Sequence, residues 1–299
     1  MENEKKAAGL RQTSDRRGFV KSVGMGAAAI AGAVMVGGRL GVLDKIPGIN
    51  KTGLIQAAVK AGSITDVDIL NFALNLEYLE AEFYTIATTG QTLAQRGFTL
   101  TGTGKSGPTL GGKKVNFLSS LTSTDKTGHL VAIMNEIAYD EQQHVHLLRG
   151  ALGADAVAKP TINLDALGTG FEGFQHATAL ARAFEDTGVS AYGGAAPLIS
   201  SKEYLGVAAQ IALTEAYHAG NLRLVSAVND DTFIFQTDKN DRTPPPVGKD
   251  YFDVDAQALA VVRDPGQVLA IVYGNSTPGA SSGGFFPDGV NGIINSVTS

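Results

Sequence analysis

Two copies of one short pattern constrain this chain more than anything else in it. Glu141 and His144 stand three residues apart in Tyr139-Asp140-Glu141-Gln142-Gln143-His144-Val145-His146-Leu147-Leu148, and Glu215 and His218 stand three apart in Ile211-Ala212-Leu213-Thr214-Glu215-Ala216-Tyr217-His218. Residues three apart share one face of a helix. On that face each pair has apolar neighbours, Ile137 and Leu148 in the first case and Ile211 and Leu222 in the second, and an arginine follows each pair at the same offset, Arg149 and Arg223. A carboxylate and an imidazole aimed at an apolar interior are costly to desolvate, and a bound metal ion is one compensator. Of the five histidines in the chain, two carry a glutamate three residues earlier in equivalent surroundings, so coincidence is a poor explanation.

Two other stretches echo one another in the same way. A Thr65-x-x-Asp68 start signal opens a helix over residues 69–88, with Leu70, Ala73, Leu74, Ala81 and Tyr84 on its apolar side and Glu77 in the middle of that stripe. Glu82 falls round the cylinder toward solvent, and Glu80, three residues from Glu77, stays open as an alternative to Glu77 in the inward position. A second such helix spans residues 171–192, with Ala181, Glu185, Gly188 and Tyr192 on one stripe and Gly193-Gly194 as its terminator. Tyr84 follows Glu77 by seven residues and Tyr192 follows Glu185 by seven, which is two turns or roughly 10 Å along one face. His176 is out of phase with Glu185 and is expected to be exposed or packed. The chain thus duplicates a helix pair, Glu-x6-Tyr then Glu-x-x-His, and Glu77, Glu141, His144, Glu185, Glu215 and His218 all point inward.

The remaining segments connect and cover these helices. Residues 90–123 read as a long glycine- and threonine-rich connection with an extended piece at 115–118, after which the second helix starts at Thr124-Asp125 and runs to Leu152, with Gly153 as its stop. Residues 154–170 suffice to cross a bundle, and Ser200-Ser201-Lys202-Glu203 is expected to form a capping box for the fourth helix, 201–228. Beyond it come Thr243-Pro244-Pro245-Pro246, a compact helix with Asp264 as N-cap, Pro265 at its first position and Gly274 as terminator, and an aromatic tail expected to pack on the bundle. The reading divides the chain into 1–50, 51–228 and 229–299.

Composition removes several classes. With 43% hydrophobic and 18% charged residues the chain can bury a core, and a net charge of −5 without a basic patch argues against nucleic acid. Without cysteine there are no thiolate sites or iron–sulfur clusters, so any metal must sit on oxygen and nitrogen. At the N-terminus, Ser14-Asp15-Arg16-Arg17-Gly18-Phe19-Val20-Lys21 followed by a Gly/Ala/Val run over 23–38 resembles a twin-arginine signal. It implies the twin-arginine translocase as a partner and a periplasmic or cell-envelope destination. Cleavage and retention as an anchor both stay open.

One glutamate from each of two helices and a Glu-x-x-His from each of two others is the ligand set of di-iron and di-manganese carboxylate bundles. The chain resembles the ferritin-like superfamily. Asn75-Leu76-Glu77-Tyr78-Leu79-Glu80-Ala81-Glu82-Phe83-Tyr84, Gln267-Val268-Leu269-Ala270-Ile271-Val272-Tyr273-Gly274 and Gly283-Gly284-Phe285-Phe286-Pro287 extend the likeness to its desiccation-related branch. The resemblance implies an all-α, ferritin-like four-helix bundle with an irregular C-terminal extension, holding two iron or manganese ions. It further implies that Glu141 and Glu215 bridge the ions, that Glu77 with His144 serves one and Glu185 with His218 the other, and that Tyr84 and Tyr192 donate to a carboxylate of the facing half. Oxygen or peroxide is then the expected substrate of an oxidase or peroxide-consuming enzyme. Metal storage and a structural stress role without turnover are the alternatives, and a homodimer is left open.

Overall fold

The computed structural model describes residues 64–122, 128–229 and 241–298, so the twin-arginine stretch and the Thr124-Asp125 helix start lie outside the described residues. Four long helices form the frame: α1 (Asp66–Thr89), α2 (His129–Leu152), α3 (Phe174–Ala195) and α4 (Lys202–Val228), with a short α5 (Pro265–Val272) after them. Helix α1 packs along α2 and α3 along α4, and the two pairs meet chiefly through α1 against α3. The expected all-α bundle is the architecture found. Among the described residues the only strands are β1 (Thr109–Leu110) and β2 (Ile162–Asn163), a two-residue parallel pair that joins the two long connections.

Helix α1 is the axis of the molecule. Thr65 caps it by accepting from Asp68 N–H while the Asp68 carboxylate accepts from Thr65 N–H, and Gly90 ends it in the left-handed region at φ 80°. Every residue from 69 to 87 except Ala73 is buried. Glu82 therefore corrects the reading from helical phase. It is fully enclosed: its Oε2 accepts from Leu93 N–H at 3.0 Å, and its Oε1 lies 3.8 Å from Nζ of buried Lys159. The connection after α1 folds back over the side that the period assigns to water, and Lys159 fastens it by donating to Gly107 O and Thr109 Oγ1. Within that connection, the piece expected to be extended at 115–118 enters a 3₁₀ turn, Phe117–Thr122.

Helix α2 begins at His129 behind Gly128 and stops at Leu152 before Gly153. Helix α3 starts three residues later than expected and runs through Gly193 and Gly194 instead of ending there. Close approach, not termination, is the reason for these glycines. A Cβ on Gly194 would lie 1.9 Å from Arg263 O, and one on Gly193 would lie 2.6 Å from a Val262 methyl, so the pair forms a notch that receives the strand of chain leading into α5. At α4, Ser201 caps by accepting from Tyr204 N–H; no reciprocal glutamate bond completes the expected box, because the residue three beyond the cap is Tyr204. The N–H groups of Ser200 and Ser201 instead donate to the Asp66 carboxylate at 2.8 Å each, tying the start of α4 to the start of α1.

The C-terminal residues are fastened by charge and by aromatic packing. Arg182 makes a two-pronged pair with Asp241 at 2.6 and 3.0 Å and also holds Asp186, which Arg223 reaches at 2.7 Å. Helix α5 is capped as expected, Asp264 and Gln267 bonding reciprocally. Past it, Phe285 meets Phe184 edge-on at 5.0 Å, and Asn291 exchanges backbone bonds with the Asn75 side chain of α1. Among the described residues no helix is long and apolar enough to cross a membrane.

Candidate metal centre

Between the two helix pairs, the inward residues of all four long helices converge. Glu77 from α1, Glu141 and His144 from α2, and Glu215 from α4 place one donor atom each within 4.8 Å of one another; Glu141, Glu185 from α3, Glu215 and His218 from α4 form a second such group sharing two members with the first. All six residues named from the sequence are thus brought together. The four carboxylates are buried, 0 to 1% exposed, while the two imidazoles are 6 to 7% exposed, so the cluster comes nearest to solvent along its histidine edge.

The geometry has a two-fold character. His144 Nδ1 lies 3.2 Å from Glu77 Oε2 and His218 Nδ1 lies 3.2 Å from Glu185 Oε2. The other oxygen of each terminal glutamate is held by a phenol of the opposite pair: Tyr192 donates to Glu77 Oε1 at 2.5 Å and Tyr84 to Glu185 Oε1 at 2.6 Å. Glu141 spans the two halves, Oε2 at 3.2 Å from His144 Nδ1 and Oε1 at 3.2 Å from His218 Nδ1. Glu215 turns Oε1 toward His144 at 3.2 Å.

So many acids in one dry space cannot all ionise freely. Burial, then the facing Glu215, pushes the Glu141 carboxyl up to about 7, and burial, then Glu185, pushes Glu215 up to about 8. Burial would raise Glu77 as well, but the charge and hydrogen bond of His144 carry it below its ordinary value. One imidazolium can neutralise one carboxylate, and Glu77 is the one favoured. His218 is raised to about 11: burial opposes its charge, and the facing carboxylates of Glu141 and Glu185 prevail. Burial and the neighbouring glutamates push the phenols of Tyr84 and Tyr192 well up, which keeps both as donors.

The residues fit bound metal better than they fit each other. A single Nδ1–H can aim at one oxygen, yet His144 Nδ1 has three carboxylates at 3.2 Å and His218 Nδ1 has two. Glu77 Oε2, Glu141 Oε1 and both oxygens of Glu215 are consequently buried without a hydrogen bond. Donors held ~2.1 Å from one ion lie about 3 to 3.5 Å apart, which is the spacing observed. A set of carboxylate oxygens and imidazole nitrogens suits a metal ion that takes oxygen and nitrogen ligands.

Other positions at the centre were missed or only half seen. Glu80 does not replace Glu77; it is buried beside the cluster, and burial followed by Glu215, Glu141, Glu185 and Glu77 pushes its carboxyl well above the usual range. It faces Gly188, where a Cβ would lie 2.4 Å from Glu215 Oε2 and 3.2 Å from Glu80 Oε1. The offset of 185 to 188 matches 77 to 80, so the duplicated pattern itself could have flagged this pair as unlike. Asp140, whose Oδ2 is 3.2 Å from His218 Nε2, carried no signal on its own helix because its partner comes from α4. His176 bonds the Thr169 hydroxyl at 2.6 Å and stays out of the centre, as its phase predicts.

A search of curated proteins finds no match, and neither does a search of solved structures. A family model described as a ferritin-like domain matches residues 65–227. That span contains every residue of the cluster, and the chain belongs to the ferritin-like domain family.

Proposed function

We propose that the chain holds a dinuclear iron or manganese centre and uses it for oxygen or peroxide redox chemistry. In this reading it is exported by the twin-arginine route to the periplasm or cell envelope and serves under stress or desiccation. The observation that carries the metal reading is Glu141, which turns one oxygen to each histidine while Glu77 and Glu185 close the two ends. Such a pair of ions, when bound, supplies one-electron steps and open positions for oxygen or peroxide.

The chain's own residues have separable tasks. Glu141 and Glu215 supply the negative charge shared between the two positions. Tyr84 and Tyr192 each occupy one oxygen of Glu185 and Glu77, which leaves the other oxygen facing a histidine and fixes the carboxylate plane. The enclosure of the four carboxylates keeps bulk water from them, leaving the histidine edge for access.

Metal-free protein reloaded with Mn(II) or Fe(II) should retain two ions per chain by elemental analysis and consume peroxide, and His144→Ala and His218→Ala should each lose ions and turnover together. Two tightly held ions with no turnover would favour storage instead. No retained metal would leave only a structural role. Export is tested by fusing residues 1–50 to a reporter: changing Arg16 and Arg17 to Lys should leave it in the cytoplasm.

A further inference from the structure

Each half has one terminal glutamate and one histidine beside the shared Glu141, Glu215 leans its Oε1 toward His144 at 3.2 Å, and on their outer sides the two histidines differ further. His218 Nε2 lies 3.2 Å from Asp140 Oδ2. Asp140 immediately precedes Glu141 on α2 and reaches across to α4; the residue in the corresponding place on α4, immediately before Glu215, is Thr214. Thr214 is half-buried like Asp140, but it has no carboxylate, and its hydroxyl donates to Gln210 O at 3.2 Å within its own helix. Among the described residues no group pairs with His144 Nε2. The second departure from symmetry, Glu80 opposite Gly188, faces Glu215, which belongs to both donor groups and so does not single out either position.

We infer that the two metal positions are unequal, and that the one served by His218 and Glu185 binds its ion more tightly and fills first because Asp140 holds the His218 ring in place. This rests on the dinuclear reading above. With Nε2–H donated to Asp140, Nδ1 is kept facing Glu185 and Glu141, so the ring orientation is set before an ion arrives and takes the place of the Nδ1 proton. The carboxylate also makes the imidazole a stronger electron donor. His144 has no carboxylate on Nε2: its ring is held only through Nδ1, by the carboxylates that the ion itself would take. Asp140 is a positioning residue. Its side chain is 31% exposed, so removing it leaves the core packing intact.

Calorimetric titration of the metal-free full chain with Mn(II) reads this directly. The unaltered protein should show two binding events at least about tenfold apart in affinity, and Asp140→Ala should weaken the tighter one by ~10- to 100-fold, with the metal-free melting temperature unchanged. Thr214→Asp, which offers His144 a matching carboxylate, should tighten the weaker event. His144→Ala should keep the tighter event and His218→Ala should lose it. Two indistinguishable events in the unaltered protein, or a tighter event untouched in Asp140→Ala, would overturn the inequality while leaving a dinuclear centre standing. Absence of any Mn(II) binding would remove both.

Discussion

At the scale of single residues, the centre is decided by which side chains are allowed to be large. Glu215 lies against the backbone of α3 only because residue 188 has no Cβ, and a methyl there would meet Glu215 Oε2 at 2.4 Å. Gly188→Ala should therefore lower bound metal in elemental analysis, even though alanine favours the helix by roughly 0.5–1 kcal/mol. An unchanged metal content would mean that Glu215 can move aside without loss. The six cluster residues were legible beforehand because helical spacing fixes direction: a glutamate and a histidine three apart, framed by Ile137 and Leu148 or by Ile211 and Leu222, have one way to face. Asp140 was not legible, since what matters about it is a nitrogen that another helix delivers.

At the scale of elements, the period of an amphipathic helix informs only where one side meets water. For α2 it does, and Tyr139 is exposed while Glu141 is buried. For α1 it does not, because the connection after it and the C-terminal tail cover what the bundle leaves open; Glu82 is read wrongly for that reason, and so is the end of α3. Gly193 and Gly194 carry the ordinary signal of a helix stop and are used instead as a seat for Val262 and Arg263. Gly194→Ala would drive a methyl into the Arg263 carbonyl and should cost about 1 to 3 kcal/mol in denaturant unfolding, with faster proteolytic removal of the residues after 241. A variant as stable and as protease-resistant as the original would show that the seat is not a required contact.

At the scale of the whole molecule, the buried acids make stability depend on pH, and an ion should change the form of that dependence. In the metal-free fold, Glu141 and Glu215 keep protons up to about 7 and about 8 that the unfolded chain gives up near 4.5, so their contribution falls as pH rises through that window. The contribution of His218, raised to about 11, is complete below 6.5 and is lost as pH climbs toward the folded value. Glu77, lowered, acts in the opposite sense and only as pH drops below its ordinary value. The melting temperature of metal-free protein should therefore decline from pH 5 to pH 8. Added Mn(II), which displaces those protons, should raise it more at pH 8 than at pH 5. A metal-free melting temperature that rises over this range would mean that the acids are not enclosed as described.

The notch in α3 bears on how such a protein comes into being. All six donors lie between residues 77 and 218, whereas the chain that occupies the notch and the aromatic segment beyond it come later, so a ribosome releases the complete set of donors before it releases their cover. We expect the two helix pairs to meet, and an ion to enter, while the final segment is still being made. Synthesis in a metal-rich medium should thus trap ions that protein stripped and refilled in its finished form acquires more slowly.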